Sequence, residues 1–201
     1  MPKKTKTLAI FDFDHTITTT DTFLDIIIFL FGKFRFVTGM IICSPILFLY
    51  TLGVLSNEKA KSAVISHFFK GMPKELFEML CTRYSRSGIG KVARPEALAR
   101  IRWHKKQKHC VIIISASLES WIKPWAKEIG IDDVIATVPE FIDGKVTGRL
   151  ASKNCYGRRK IERLFEKYPD AEKCTVYAYG DSSGDREILA FADYPFYRKF
   201  E

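Results

Sequence analysis

Asp12 and Asp14 stand one residue apart behind an apolar run, in the order Asp12-Phe13-Asp14-His15-Thr16. A carboxylate can attack an electrophilic centre and form a covalent intermediate, and a second carboxyl group can move the proton that a leaving group needs. Two more polar clusters occupy equivalent places. Ser115-Ala116-Ser117 follows the apolar run that starts at Cys110, and Gly180-Asp181-Ser182-Ser183-Gly184-Asp185 follows Cys174 to Tyr179. Phosphoryl transfer asks for this combination: an oxygen nucleophile, a proton donor for the leaving alcohol, and positive charge around the phosphoryl oxygens. Phosphomonoester hydrolysis is slow enough uncatalysed that enzymes accelerate it by up to on the order of 10²¹-fold. Asp12 and Asp14 offer the nucleophile and the acid.

Two carboxylates beside a dianionic phosphate require a cation. Magnesium favours hard oxygen ligands and keeps several waters, and Asp12, Asp181 and Asp185 supply such oxygens from two chain segments. Ser115 can donate to a phosphoryl oxygen, with help from the backbone N–H groups that follow it, Ala116 first. Lys160 and Lys153 are both candidates for a fixed positive charge. Taken singly, each cluster has a plainer reading. Asp-x-Asp is often a solvated turn, Ser-Ala-Ser a helix cap, and Lys160 an exposed helix residue. The joint order carries the chemical reading.

The elements that must position these groups alternate between strand and helix. Thr7 to Phe13 reads as a buried strand, and Thr18 to about Gly90 as helical, with breaks at Gly32, Gly53 to Asn57 and Gly71 to Pro73. Ser56 and Asn57 look like a helix cap. A helix over Glu96 to Gln107 precedes a strand over Cys110 to Ser115, and a helix over Leu118 to Ile129 follows it. A β-rich patch comes next, with a hairpin turn at Asp143-Gly144. A helix over Tyr156 to Tyr168, a strand over Cys174 to Tyr179 and a helix over Asp185 to Phe191 complete the chain. Such alternation predicts an α/β fold with a parallel sheet, in which ligands bind beyond the carboxyl ends of the strands. The three polar clusters converge there if their strands are parallel and adjacent.

These residues resemble the motifs of the haloacid dehalogenase superfamily, and more narrowly its phosphoserine-phosphatase-like branch. Asp12-Phe13-Asp14-His15-Thr16 matches the first motif, D-x-D-x-T, and Ser115 matches the second. Asn154-Cys155-Tyr156-Gly157-Arg158-Arg159-Lys160 resembles the third, which favours Lys160 over Lys153. Gly180 to Asp185 matches the fourth, G-D-x-x-x-D. The resemblance implies a Rossmann-like core from residues 1–18 and 91–201, with a helical cap over residues 19–90. It implies Asp12 as nucleophile and Asp14 as general acid and base, with the Asp14 carbonyl and the Asp181 side chain on magnesium. Asp185 would orient the metal shell and Lys160, and Thr16 would support the first-motif loop and the substrate phosphate. Asn154 falls among the substrate contacts. Asp21 occupies the place of an acidic residue that meets the substrate amine in phosphoserine phosphatases. Their cap arginine has no counterpart in Ala63 to Phe69. The expected substrate is therefore a small phosphomonoester, with an amine as one option and a lipid headgroup as another.

The bulk of the 201-residue chain agrees with one domain, or one core with an insertion. Its formal net charge of +9 fits an anionic partner. The basic run Arg102 to Lys108 reads as a solvated helix face, and no aromatic-basic strip points to nucleic acid. Five cysteines, none in a C-x-x-C pair, argue against a disulfide framework or zinc site and for a reducing cytoplasmic setting. The apolar run at Leu8 to Phe11 is too short for a signal peptide. Phe23 to Leu55 is rich in Ile, Phe and Leu, and Gly39 to Leu55 carries no charge. A buried helical hairpin is the main expectation there, with a membrane-surface or partner-binding patch as the alternative and a transmembrane helix as a third reading. Two other classes stay in view. A phospho-aspartate receiver would keep a long-lived phosphoryl group, and a binding module would associate with lipid through the cap.

Overall fold

A computed structural model describes residues 6–200. The first strand, β1 (Thr7–Phe11), leads through a wide turn over Phe13–Ile17 into a helical segment: α1 (Thr22–Thr51), α2 (Asn57–Phe69) and α3 (Lys74–Tyr84). The chain then runs α4 (Pro95–Lys106), β2 (Cys110–Leu118), α5 (Glu119–Glu128), β3 (Asp133–Thr137), β4 (Pro139–Ile142), β5 (Lys145–Leu150), α6 (Arg158–Lys167), β6 (Thr175–Gly180), α7 (Arg186–Phe191) and β7 (Tyr194–Tyr197). Strands β3, β2, β1, β6 and β7 form one five-stranded sheet in that order, and all four pairings are parallel. β4 and β5 form a separate antiparallel hairpin.

The strands read as continuous apolar runs because both faces of the sheet are covered. Ala9, Phe11, Val111, Ile113 and Tyr179 point into one cluster together with Ala97, Ile101, Trp121 and Trp125. Leu8, Ile10, Ile112, Ile114 and Val176 point into the other, against Leu164 and Ile188. β1 sits between β2 and β6, with Phe11 level with Ile113 and Tyr179. The strand ends that carry the three polar clusters are therefore neighbours.

Several boundaries differ from the sequence reading. β1 stops at Phe11, and Phe13 begins the turn. α1 starts at Thr22 because Asp21 caps it, its side chain accepting from Phe23 N at 2.9 Å and Leu24 N at 3.2 Å. Ser56 caps α2 through Lys59 N. The break at Gly32 is a kink at φ 77° and ψ 163°, a conformation essentially reserved for glycine. β7 escaped sequence reading because Pro195 sits inside it and it lies at the sheet edge.

Thr18 and Ala93 pair where the chain enters and leaves the helical segment. Arg94 N donates to Ile17 O at 2.8 Å and Thr19 N to Val92 O at 2.7 Å. The β4–β5 hairpin reaches across to this segment: Gly71 N donates to Val146 O at 2.8 Å and Lys74 N to Gly144 O at 2.8 Å. Phe13, Phe77, Tyr84 and Trp125 belong to one buried cluster, so the helices share a core with the sheet. The expected buried hairpin of the cap is only half realised. Phe23, Ile26 and Ile27 are buried, whereas the second half of α1 leaves a large apolar face exposed.

Candidate active site

Asp12 follows β1, and its N–H continues the sheet by donating to Tyr179 O at 2.9 Å. The residue is 8% exposed. Lys160 reaches it from the first turn of α6 and forms ion pairs with both Asp12 Oδ1 and Asp185 Oδ1, the latter at 2.6 Å. Burial works against the charge of Lys160, yet the two carboxylates outweigh it and raise its pKa. Asp12 is the surplus anion. Burial is the main reason its pKa is pushed up to about 7, with Asp185 and Asp14 adding to the rise and Lys160 opposing it.

Asp185 is engaged at both oxygens. Its Oδ1 takes Lys160, and its Oδ2 accepts from Asp181 N at 3.2 Å, Ser182 N at 3.0 Å and Ser182 Oγ at 2.9 Å. A carboxylate offers about four acceptor sites, two on each oxygen, so Oδ2 is crowded while Oδ1 keeps room for one more partner. The close approach depends on Gly180: a Cβ there would lie 2.6 Å from Asp185 Cβ. Asp181 is held on one side only, by Thr16 Oγ1 at 3.2 Å.

One oxygen from each of Asp12, Asp181 and Asp185 lies within 4.8 Å of the others. This oxygen-only donor set, with Lys160 as the one ammonium inside it, suits a hard divalent cation such as magnesium. Asp12 and Asp181 have the spare acceptor capacity to hold it. Asp185 Oδ1, with Lys160 on one side, has room to join them.

Asp14 is gripped at both oxygens. Its Oδ1 accepts from Thr22 N at 2.7 Å and Thr22 Oγ1 at 2.5 Å, and its Oδ2 from Ser117 Oγ at 2.6 Å. Thr22 in turn accepts from Trp121 Nε1 at 3.2 Å. His15, between the two halves of the site, is exposed with a left-handed φ of 58°.

A cavity of about 200 Å³ collects Asp12, Asp14, Asp21, Lys61, Lys160 and Asp181 in its wall. Ala116, Ser117 and Asn57 line it as well, whereas Ser115, Asn154 and Lys153 do not. Ser115 is fully buried, and its Oγ accepts from Ser117 N at 3.0 Å. Asn154 braces the site from behind. Its Oδ1 accepts from Thr137 Oγ1 at 3.1 Å, and its Nδ2 donates to Asn57 Oδ1 at 2.6 Å. Lys153 is exposed. Thr16 lines an adjoining cavity of about 250 Å³ with Arg94, Arg198 and Lys199, a set of cations that favours approach of an anion.

Lys61, Thr22, Ser117 and Asn57 were not singled out from the sequence. Lys61 stands two residues before the segment searched for a cap cation. It donates to Ala116 O at 2.7 Å and lies over the Phe23 ring at 5.5 Å. Burial lowers its pKa, while Asp14 and Asp21 pull it back up. Ser117 had a signal in Ser115-Ala116-Ser117, because residues two apart share a face of a regular strand; the register shift between Ser115 and Leu118 then separates the two, and Ser117 lines the cavity.

A haloacid dehalogenase-like hydrolase family model matches residues 9–190. Protein CicA of Caulobacter vibrioides is 32% identical over 194 residues, which cover 96% of this chain and 86% of CicA. A protein of unknown function from Bordetella pertussis superposes with a TM-score of 0.78 at 21% identity, covering 92% of this chain and 86% of that one. A phosphoserine phosphatase solved as a phospho-aspartyl intermediate analogue superposes with a TM-score of 0.63 at 21% identity, covering 93% and 83%. The match over almost the whole chain and the strand-end cluster of Asp12, Lys160, Asp181 and Asp185 agree: this chain belongs to the haloacid dehalogenase-like hydrolase family.

Proposed function

We propose that this chain is a magnesium-dependent phosphomonoester hydrolase that passes the phosphoryl group through Asp12. The observation that carries the reading is the shared cavity wall. A buried carboxylate paired with a buried lysine faces the same small space as a second carboxylate two residues on. Residues 1–18 and 91–201 form the catalytic core in this reading, and residues 19–90 the cap. The five free cysteines are in keeping with work in a reducing cytoplasm.

The Asp12 oxygen not held by Lys160 attacks phosphorus. The bond to the ester oxygen breaks, and protonated Asp14 gives its proton to the departing alkoxide. Asp14, now a carboxylate, takes a proton from water as that water attacks the aspartyl phosphate. The bond between phosphorus and Asp12 breaks, inorganic phosphate leaves, and Asp14 is protonated again for the next cycle. Lys160 favours the ionised form of Asp12 and holds it in place, and Asp185 fixes Lys160. Thr22 and Ser117 hold Asp14 in line. Asp12, Asp181 and the Asp14 carbonyl would hold magnesium, which would supply charge for the phosphoryl oxygens.

The small cavity fits a compact phosphomonoester. Asp21 and Lys61 stand in its wall, so an ammonium group on the substrate meets Asp21 while Lys61 meets a hydroxyl or anionic group. Phosphoserine phosphatases share the fold, and phosphoserine and phosphoethanolamine are the first compounds to assay. The test is a panel of these two, phosphocholine, sugar phosphates, nucleotides and an aryl phosphate, with purified protein and magnesium. Magnesium-dependent phosphate release that disappears in Asp12→Asn is the expected result. Folded, magnesium-loaded protein that is silent on every compound, the aryl phosphate included, would contradict the reading.

A further inference from the structure

After the kink at Gly32, the second half of α1 packs on α2 along one narrow stripe, where Gly39 and Cys43 are buried. Phe36, Met40 and Leu47 flank that stripe against the core, and the opposite side faces outward and is mostly apolar. Phe34 is 82% exposed, Ile42 65%, Phe48 62%, and Val54 just beyond the helix end 67%. Contiguous apolar surface on this scale marks an interaction site.

The electrostatics and the backbone both say what covers it. No Asp or Glu occurs between Asp25 and Glu58, while Lys33 and Arg35 are exposed at the near end of the arm. A second copy of the chain would set these cations against an acid-free surface. An anionic lipid surface would pair with them. Pro45 removes one helical N–H, and Ser44 Oγ donates to the orphaned Ile41 O at 2.7 Å, so the arm can enter an apolar layer without an unpaired carbonyl at that point.

By length and composition alone α1 could cross a membrane. Its ends exclude a crossing. Asp21 immediately before α1 and Asn57 shortly after it line the same cavity, whereas a span would separate them by roughly 30 Å of hydrocarbon. The far end of the arm is also close to the chemistry. Asn57 Nδ2 donates to Tyr50 OH at 3.0 Å, so one hydrogen bond links the exposed apolar surface to the cavity wall.

We infer that the arm over residues 33–54 lies flat on an anionic lipid bilayer, and that the cavity beside it takes its phosphomonoester as a headgroup at that surface. The choice of substrate rests on the phosphatase reading above; the docking does not. The arm would sink its apolar side into the headgroup and acyl boundary while Lys33 and Arg35 stay with the anionic headgroups. The alcohol released would remain in the bilayer, and phosphate would leave to water.

The test uses the full chain with sedimented vesicles of neutral phosphatidylcholine, with and without an anionic lipid. The wild type should pellet with the anionic vesicles and partly release in high salt. Ile42→Glu with Phe48→Glu should lower binding on the order of a hundredfold. Lys33→Gln with Arg35→Gln should lower it on the order of tenfold on anionic vesicles only. All variants should hydrolyse a soluble aryl phosphate like the wild type, which shows that they are folded. A diacylglycerol phosphate in vesicles should lose turnover with the docking variants, while its short-chain soluble analogue should not. Wild-type protein that stays in the supernatant with every vesicle would overturn the docking. So would a dimer dissociated by the same substitutions with no vesicle response. Docking intact with every phosphomonoester silent would instead sink the phosphatase reading.

Discussion

The strand-end cluster and the exposed arm of α1 solve opposite problems. At the cluster, most polar groups are buried and Asp14 and Asp185 are held at both oxygens, while Asp12 and Asp181 keep open acceptors. Asp185 has four donors and Asp14 three. On the arm, apolar groups are exposed, and the stripe of Phe36, Gly39, Met40, Cys43 and Leu47 is what packs against the rest of the described chain. The first region is fixed by its own contacts, so small changes there should be felt in rate, and in stability where they alter packing. The second is left unfinished by the chain, so changes there should leave folding alone.

The sharpest break of this contrast is Asp14→Asn. It keeps the shape of the side chain but removes proton transfer. Its kcat on an aryl phosphate should fall by about 10²–10⁴-fold, with the thermal midpoint near that of the wild type. An Asp14→Asn enzyme with undiminished turnover would remove Asp14 from the mechanism. Gly180→Ala comes next. The added Cβ meets Asp185, displaces it, and frees Lys160 from one of its two anchors. We expect a loss of about 1–3 kcal/mol from overpacking, read as a lowered midpoint in thermal denaturation, together with reduced turnover. An unchanged midpoint would mean that the fourth-motif loop is looser than its contacts imply.

A third effect lies outside both regions. Burial, with His109 and Arg100 nearby, lowers the pKa of His104 to about 3, and its ring bonds Tyr179 OH at 2.9 Å. The folded chain keeps this ring neutral, while the unfolded chain protonates it below about 6.5. Its contribution is therefore present above pH 6.5 and is lost as the pH falls from 6.5 towards 3. His104→Gln should flatten that part of the curve of thermal midpoint against pH. Phe48→Ser on the arm should have the smallest effect, within about 0.5 kcal/mol of wild-type stability and with unchanged turnover of a soluble substrate. A large loss of stability there would mean that the arm is part of the fold's own core.

The amino-acid sequence shows much of the first region and little of the second. Asp12, Asp14, Asp181 and Asp185 were legible because each follows a short apolar run that can only be a buried strand, and parallel order brings strand ends together. Lys160 was distinguishable from Lys153 through its motif. Lys61 and Asn57 were hidden because they reach the cavity only when the cap helices fold back over it, and local patterns carry no record of that return; Thr22 was hidden because it is buried behind Asp14. Ser115 and Asn154 show the same limit at finer scale. Type and spacing put them near the site, but the register shift between Ser115 and Leu118 leaves Ser117 at the cavity in place of Ser115, and Asn154 is spent on holding Asn57. The arm is apolar enough to read as buried; only the tertiary fold reveals that nothing in the described chain covers it.

The central claim is that Asp12 carries the phosphoryl group. The most direct test mixes the enzyme with magnesium and a good aryl phosphate substrate, quenches in acid within one turnover, and maps the protein by mass spectrometry. The account predicts one phosphoryl group on the peptide that contains Asp12, labile to hydroxylamine and missing in Asp12→Asn. Turnover with no phosphoryl adduct on that peptide under single-turnover quenching, or an adduct that survives in Asp12→Asn, would contradict it.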